Sequence, residues 1–218
     1  GKKGFIEGFF SLTAPFINKD KLYLTNVTPP TLVIFDKISG EKISKIDLNP
    51  KSKNFTGASP WMGTAFDKKN NLAFVSLGNP RPALYGITRP GKNENSNSIV
   101  AIDLKSKKIK WSFQEVAHDL WDFDIGCPPL LTEVNYEDKI LELVVCVTKI
   151  GNTLIFERKT GKPLFDIYYK DTPTSNMPKQ ETWQQISVKL PENISSVEFS
   201  PKSFDKLNKD KKDYINNI

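Results

Sequence analysis

An all-β repeat fold, part of a β-propeller, is what this sequence predicts, and three observations carry the prediction. One strand–acid–turn–strand unit recurs three times along the chain. No helical periodicity occurs before about residue 200. Turn-forming residues are frequent and scattered, with 12 Gly and 15 Pro. Many short strands punctuated by turns point to blades of four-stranded antiparallel sheet, each of ~40–50 residues. By that measure the 218 residues hold about four blades. Long insertions, Gly78 to Asn97 and Tyr169 to Ser200, separate the repeats, so the expectation is part of a larger ring with open edges. An open edge exposes unpaired backbone groups and makes such a piece prone to aggregate.

The three units, in order, are Leu32-Val-Ile-Phe-Asp-Lys-Ile-Ser-Gly-Glu-Lys-Ile43, Ile99-Val-Ala-Ile-Asp-Leu-Lys-Ser-Lys-Lys-Ile-Lys-Trp111 and Leu154-Ile-Phe-Glu-Arg-Lys-Thr-Gly-Lys-Pro-Leu-Phe165. Each is an apolar strand of three or four residues, an acidic residue, a polar turn and a second strand. Ile38-Ser-Gly-Glu41 and Lys159-Thr-Gly-Lys162 suit tight hairpins, because glycine takes a positive φ without steric cost. A further strand precedes each unit: Lys21-Leu-Tyr-Leu24, Leu72-Ala-Phe-Val-Ser76 and Glu142-Leu-Val-Val-Cys-Val147. Trp111, at the end of the second unit, reads as a structural residue that docks on the neighbouring blade. Residues 1–200 form the propeller portion and residues 201–218 a polar tail or insertion. In that tail Ser203 is placed to cap a short helix, with Leu207 and Tyr214 on one side.

Composition excludes several classes. No apolar run approaches the ~20 residues of a membrane span. The first residues, Gly1-Lys-Lys-Gly-Phe-Ile-Glu-Gly, lack the apolar centre of a signal peptide; if the protein is exported, the signal lies outside this sequence. The net charge of +6 comes mostly from dispersed lysines, not from a basic stripe interleaved with aromatics, so no nucleic-acid partner is expected. Cys127 and Cys146 fit no zinc spacing and lie in apolar stretches, which favours buried free thiols over a bridge between strands.

The densest chemistry lies in Gln114-Glu-Val-Ala-His-Asp-Leu-Trp-Asp-Phe-Asp124. It holds the chain's only histidine, His118, and Asp119, Asp122 and Asp124 around Trp121. Such a cluster can hold a carboxylate in a fixed place. Taken singly the candidates are weak. An aspartate beside a tryptophan often only caps a turn, Asn79 before Pro80 reads as a turn residue, and Lys149 as a solvated lysine. Asp103 reads as a turn residue.

Eight motifs in order change that reading. They are Trp61-Met-Gly-Thr-Ala-Phe-Asp, Gly78-Asn-Pro, Arg89-Pro-Gly-Lys-Asn, Ser98-Ile-Val-Ala-Ile-Asp, Trp111-Ser-Phe-Gln, His118-Asp-Leu-Trp-Asp-Phe-Asp, Thr148-Lys-Ile-Gly and Arg158-Lys-Thr-Gly-Lys-Pro-Leu-Phe. Together, over roughly residues 10 to 200, they resemble the pyrroloquinoline-quinone (PQQ) dehydrogenases, most closely the membrane-type glucose and quinate enzymes. The resemblance implies an eight-bladed propeller with PQQ and a calcium ion on its axis. It implies that Asp122 is the catalytic base, taking the proton of a substrate hydroxyl while hydride passes to the C5 carbonyl carbon of the quinone. It implies that Asn79 is a calcium ligand, with Asp122 approaching the same metal, and that Lys149 is the cation beside the quinone oxygens. Trp61 would be the flat floor under the PQQ ring; its 18-residue separation from Asn79 agrees with the alcohol-dehydrogenase branch. His118 and Asp119 beside the base either orient it or contact substrate, or serve packing alone.

The resemblance thus implies a fragment of a periplasmic quinoprotein dehydrogenase that oxidises a sugar or polyol and passes electrons to ubiquinone or another acceptor. Any attachment to the inner membrane would run through regions outside this sequence. Two departures bear on the substrate. Ala117 stands where membrane-type members often have a first histidine, and Pro80-Arg-Pro-Ala83 replaces a more usual Pro-Ala-Pro-Asp. No early glutamate stands in Asn26-Val-Thr-Pro-Pro-Thr31 to serve calcium. The rival reading is a non-catalytic propeller scaffold of the same repeat, which has no reason to bring Asn79, Asp122 and Lys149 together. A carbohydrate-binding β module, with Trp183 as its platform, ranks last.

Overall fold

A computed structural model describes residues 13–49, 55–177, 179–181, 183–189, 191–192 and 208–216. The first sheet is an antiparallel meander of β1 (Phe16–Asn18), β2 (Lys21–Asn26), β3 (Thr31–Asp36) and β4 (Lys42–Asp47). Then come β5 (Thr56–Gly57), β6 (Thr64–Asp67), β7 (Leu72–Leu77), β8 (Pro80–Arg81), β9 (Ser98–Asp103) and β10 (Lys108–Gln114). Of these, β6, β7, β9 and β10 form a second four-stranded meander, while β5 and β8 pair as a two-residue ribbon. The third sheet is β11 (Leu130–Tyr136), β12 (Lys139–Val147) and β13 (Thr153–Glu157), followed by the hairpin of β14 (Ile167–Asp171) and β15 (Gln184–Val188). This is the partial propeller of antiparallel blades that the repeats predict.

The sheets stack face to face, and the strand sequences say why. In β7 the side chains of Leu72 and Phe74 enter a core shared with the third sheet, while Ala73, Val75 and Leu77 enter one shared with the first. The same split divides Ile99 and Ala101 from Val100 and Ile102 in β9. Successive side chains leave a strand on opposite faces, so a strand buried on both reads as a continuous apolar run. The outer strand β10 alternates instead, with Lys108, Lys110 and Ser112 outward and Ile109, Trp111 and Phe113 inward.

Each repeated acid is a turn residue. Asp36 Oδ1 accepts the amides of Ile38 and Ser39 at 2.9 and 2.7 Å, and Asp103 Oδ1 those of Lys105 and Ser106 at 2.8 and 3.0 Å. Bonds from backbone amides hold both carboxyls below the usual carboxylate range. In the third unit Glu157 takes this place, accepting the Thr160 hydroxyl at 2.8 Å. A left-handed residue closes each turn: Gly40 (φ 75°), Lys107 (φ 59°) and Gly161 (φ 72°).

The third blade departs from the expected four strands. Past Gly161 only a single bridge forms, Phe156 to Pro163. Pro163 has no N–H to give to the ladder. The pairing survives on either side of it, in Glu157 N to Lys162 O and Leu164 N to Ile155 O, both 2.9 Å.

Trp111 docks across the blade boundary as the sequence predicts. Its indole N–H donates to Arg158 O at 2.9 Å, and its ring lies over Gly161. A Cβ on Gly161 would stand 2.7 Å from the ring and would also hold a positive φ. Gly161→Ala is therefore expected to destabilise the protein by about 2 kcal/mol. Urea unfolding checks this, and an unchanged midpoint would contradict it.

The thiols of Cys127 and Cys146 are free; Cys146 is buried and Cys127 half-buried. The tail carries helix α1 (Lys209–Asn216), capped by Asn208, whose Oδ1 accepts the Lys211 amide at 3.1 Å. Ser203, Leu207 and the Tyr214 side chain lie outside the described residues. Among the described residues no helix is long and apolar enough to cross a membrane.

Connections in an antiparallel meander alternate between its two ends. The β2–β3, β7–β9 and β12–β13 connections therefore share one end with the segments that enter β6 and β11. That end carries the candidate site.

Candidate functional site

Three of these connections converge on Asp122. From the segment entering β11, Asp122 presents a side chain 45% exposed on a left-handed backbone (φ 62°). Aspartate tolerates that region better than most residues, and outliers of this kind gather at functional sites. From the β7–β9 connection, the side-chain amide of Asn79 donates to Asp122 Oδ1 in a short hydrogen bond. From the β12–β13 turn, Lys149 Nζ donates to Asp122 Oδ2 at 3.0 Å, to Asp122 O at 2.7 Å and to Asp124 Oδ2 at 3.1 Å. Partial burial opposes the Lys149 charge. The bonds to Asp122 and Asp124 outweigh it and raise the ammonium above its ordinary pKa.

Asp124 is a site residue to which sequence reasoning assigned no role. Its Oδ1 accepts the Asn79 amide at 2.7 Å, which ties the two connections together. The available signal was its spacing from Asp122, which puts both carboxylates within reach of one cation. Gly78 lets this happen: a Cβ there would stand 2.5 Å from Asp124 Oδ1 and 2.8 Å from the Trp61 indole nitrogen.

Asn79, Asp122, Asp124 and Lys149 line one cavity of about 420 Å³ together with Trp61 and Arg81. Trp61 is 37% exposed. Four of the six residues singled out from the sequence, Trp61, Asn79, Asp122 and Lys149, thus meet at one place.

His118 and Asp119 do not line that cavity. His118 is 1% exposed. Its Nδ1 faces Gly91 O at 2.7 Å and its Nε2 the Gln180 amide nitrogen at 2.9 Å, so the neutral ring donates through Nδ1 and accepts at Nε2. Burial lowers its pKa and keeps that form. Asp119 is buried as well. Its carboxylate accepts the amides of Trp121 at 2.9 Å and Phe123 at 2.7 Å and the Asn97 side chain at 3.0 Å. It therefore shapes the loop that delivers Asp122.

Behind Lys149 lies a group the sequence did not disclose. Glu115 Oε1 accepts Thr148 Oγ1 at 2.7 Å and Asn152 Nδ2 at 2.8 Å, fastening both ends of the turn that carries Lys149. Its Oε2 is buried without a partner. Burial pushes the Glu115 pKa up to about 8.

The donor set facing the cavity is two carboxylates and one amide, all hard oxygen chemistry if the Asn79 amide presents its oxygen. Calcium takes six to eight oxygens. Among the described residues no cluster of three or more His, Cys, Asp or Glu side chains forms a metal site. This chain would supply only part of a calcium shell. An aromatic face, a cation and a cavity of this size suit a flat anionic ring better than a compact aliphatic ligand.

Comparison with known proteins shows the family. Residues 27–214 match the family described as PQQ: glucose/ethanol/alcohol dehydrogenase, β-propeller domain. The chain is 28% identical over 187 residues to the quinoprotein glucose dehydrogenase of Escherichia coli (strain K12), covering 76% of this chain and 24% of that protein. It is 28% identical over 212 residues to the glycerol dehydrogenase large subunit of Gluconobacter thailandicus, covering 85% and 28%. In fold it is similar to the crystal structure of the quinohemoprotein alcohol dehydrogenase from Comamonas testosteroni, with a TM-score of 0.61 at 22% identity over 73% of this chain and 29% of that one. The chain spans about a quarter of the length of the curated relatives it matches.

Proposed function

The chain belongs to the β-propeller family of PQQ-dependent glucose, ethanol and alcohol dehydrogenases, and on that premise we propose that it carries the base-bearing part of the active site of a quinoprotein dehydrogenase. One observation supports this most: Asn79, Asp122 and Lys149, from three different connections, converge on a single cavity beside Trp61. A propeller serving only as a scaffold has no need of that convergence. In this reading residues 1–200 are the propeller portion and residues 201–218 a tail or insertion.

Asp122 accepts the proton of a substrate hydroxyl. Each of its oxygens receives one hydrogen bond, from Asn79 or Lys149. Each carboxylate oxygen offers about two lone-pair sites, so one on each stays free for the incoming proton. Lys149 and Asn79 fix the carboxylate in the orientation that general-base catalysis requires. PQQ, when bound, supplies the hydride acceptor, and Trp61, Lys149 and Asn79 are the residues here that would hold it. Calcium would take oxygens of Asn79 and Asp122 and complete its shell from outside this chain. His118 and Asp119 act by positioning, through Gly91 and through the Trp121 and Phe123 amides. The substrate is a sugar or polyol, the acceptor ubiquinone or another membrane quinone, and the compartment the periplasm.

The test is reconstitution of the full-length protein with PQQ and calcium, followed by dye reduction across aldoses, quinate and simple alcohols. Turnover with one of these classes is expected. Failure with all of them, in protein that binds PQQ, overturns the reading.

A further inference from the structure

One cation at the cavity wall has no partner among the described residues. The Lys149 ammonium is answered by two carboxylates, Asp122 and Asp124. Arg81 lines the same cavity, and among the described residues its guanidinium makes no hydrogen bond or ion pair. The other two arginines are engaged: Arg89 donates to Pro82 O and Asn93 Oδ1, and Arg158 pairs with Asp67 at 3.2 Å.

Arg81 is also held at its base. It lies in the β5–β8 ribbon, opposite Thr56. Gly57 (φ 85°) leaves room for its stem: a Cβ at Gly57 would stand 2.8 Å from Arg81 Cγ and 2.7 Å from Asn79 O. The stem therefore packs on bare backbone, and the ribbon places it two residues from Asn79 in the chain. A guanidinium held at its root and without a partner for its tip among the described residues is suited to a planar oxyanion, which it binds through two parallel N–H···O bonds.

Resting on the reading of this cavity as a dehydrogenase site, we infer that Arg81 is a specificity residue that holds the carboxylate of a hydroxy-acid substrate, so that the preferred substrate is a polyol bearing a carboxylate and not a neutral sugar. The hydroxyl to be oxidised lies toward Asp122 and the carboxylate toward Arg81. Arg81 is exposed, so a neutral polyol leaves its guanidinium to water and gains nothing from it.

The experiment uses the full-length protein loaded with PQQ and compares quinate, a ring polyol with a carboxylate, with its primary amide. The wild type is expected to prefer the acid over the amide in kcat/KM by about tenfold or more, the scale of one charge-assisted contact. Arg81→Gln is expected to bring that ratio close to one, chiefly through KM for the acid, and Arg81→Lys to restore part of it. PQQ affinity, read from quenching of tryptophan fluorescence, separates the other source of a carboxylate. An acid-to-amide ratio that Arg81→Gln leaves unchanged overturns the inference. So does a weakening of PQQ binding that accompanies equal losses on both substrates, since Arg81 would then hold the cofactor. If the wild type turns over no alcohol, the dehydrogenase reading falls. Arg81 is then judged by calorimetric binding of quinate and its amide to wild type and Arg81→Gln: acid-selective binding lost in the variant upholds the carboxylate site, and equal binding of the two probes removes it.

Discussion

Replacing Asp122 by Asn is expected to lower turnover of the reconstituted full-length enzyme about a thousandfold while PQQ still binds. Of the two carboxylates described at the cavity, Asp122 is the one open to a substrate, its side chain 45% exposed against 8% for Asp124, and a positioned base commonly contributes a factor of 10²–10⁴. The amide keeps the shape of the side chain and loses two properties. It has no basic oxygen, and it can satisfy only one of the two donors now aimed at it. With its oxygen toward Asn79, its NH₂ group faces the Lys149 ammonium, donor against donor. Lys149 keeps Asp124 and the Asp122 carbonyl oxygen, so the turn stays in place and the cavity keeps its shape. The measurement is kcat by dye reduction beside the dissociation constant of PQQ. Turnover within tenfold of wild type would remove Asp122 from the role of base. Loss of PQQ binding in step with turnover would make it a cofactor ligand instead.

The blades were legible because their signals are local. An acid closing a short apolar run and a left-handed residue at the turn's end are both written in consecutive residues, and they recur at Asp36, Asp103 and Glu157. The missing strand after Gly161 also has a local signal, since Pro163 cannot donate to the ladder, but the repeat pattern around it points the other way. At the site, Trp61, Asn79, Asp122 and Lys149 were found through ordered motifs, because no spacing along the chain announces that three connections of different sheets meet. His118 and Asp119 were drawn toward the chemistry by proximity in sequence. The left-handed turns at His118 (φ 49°) and Asp122 (φ 62°) separate neighbours in the chain, sending His118 to Gly91 and Asp122 to the cavity. Asp124 and Glu115 gave the least signal. What matters about them is the partner reached across the fold, the Asn79 amide for one and the Thr148–Asn152 turn for the other.

Glu115→Gln is expected to stabilise the protein by about 3 kcal/mol at pH 7 relative to its effect at pH 4.5. The sign follows from burial. Desolvation raises the folded-state pKa from 4.5 to about 8, and the hydrogen bonds from Thr148 and Asn152 only moderate it. The charges of Asp119 and Cys127 push in the same direction as burial. A carboxyl raised in the folded state contributes most below the unfolded value of 4.5, and its contribution is lost as pH rises from there through about 8. Each pH unit in that window is worth about 1.4 kcal/mol, because the unfolded chain sheds a proton that the folded chain keeps. Glutamine matches the neutral acid. Its oxygen accepts the same two bonds, and its nitrogen occupies the place of Oε2, which has no partner to lose. The extra unpaired N–H of the glutamine costs the same at every pH, so the stability of the variant relative to wild type should rise steadily from pH 4.5 upward, as measured by urea unfolding at pH 4.5, 6 and 7.5. Parallel curves would mean that Glu115 is ionised in the folded protein. Glu115→Ala gives the complementary case. It removes the acceptor and strands the Thr148 hydroxyl and the Asn152 amide, so it should destabilise at every pH and loosen the turn that carries Lys149.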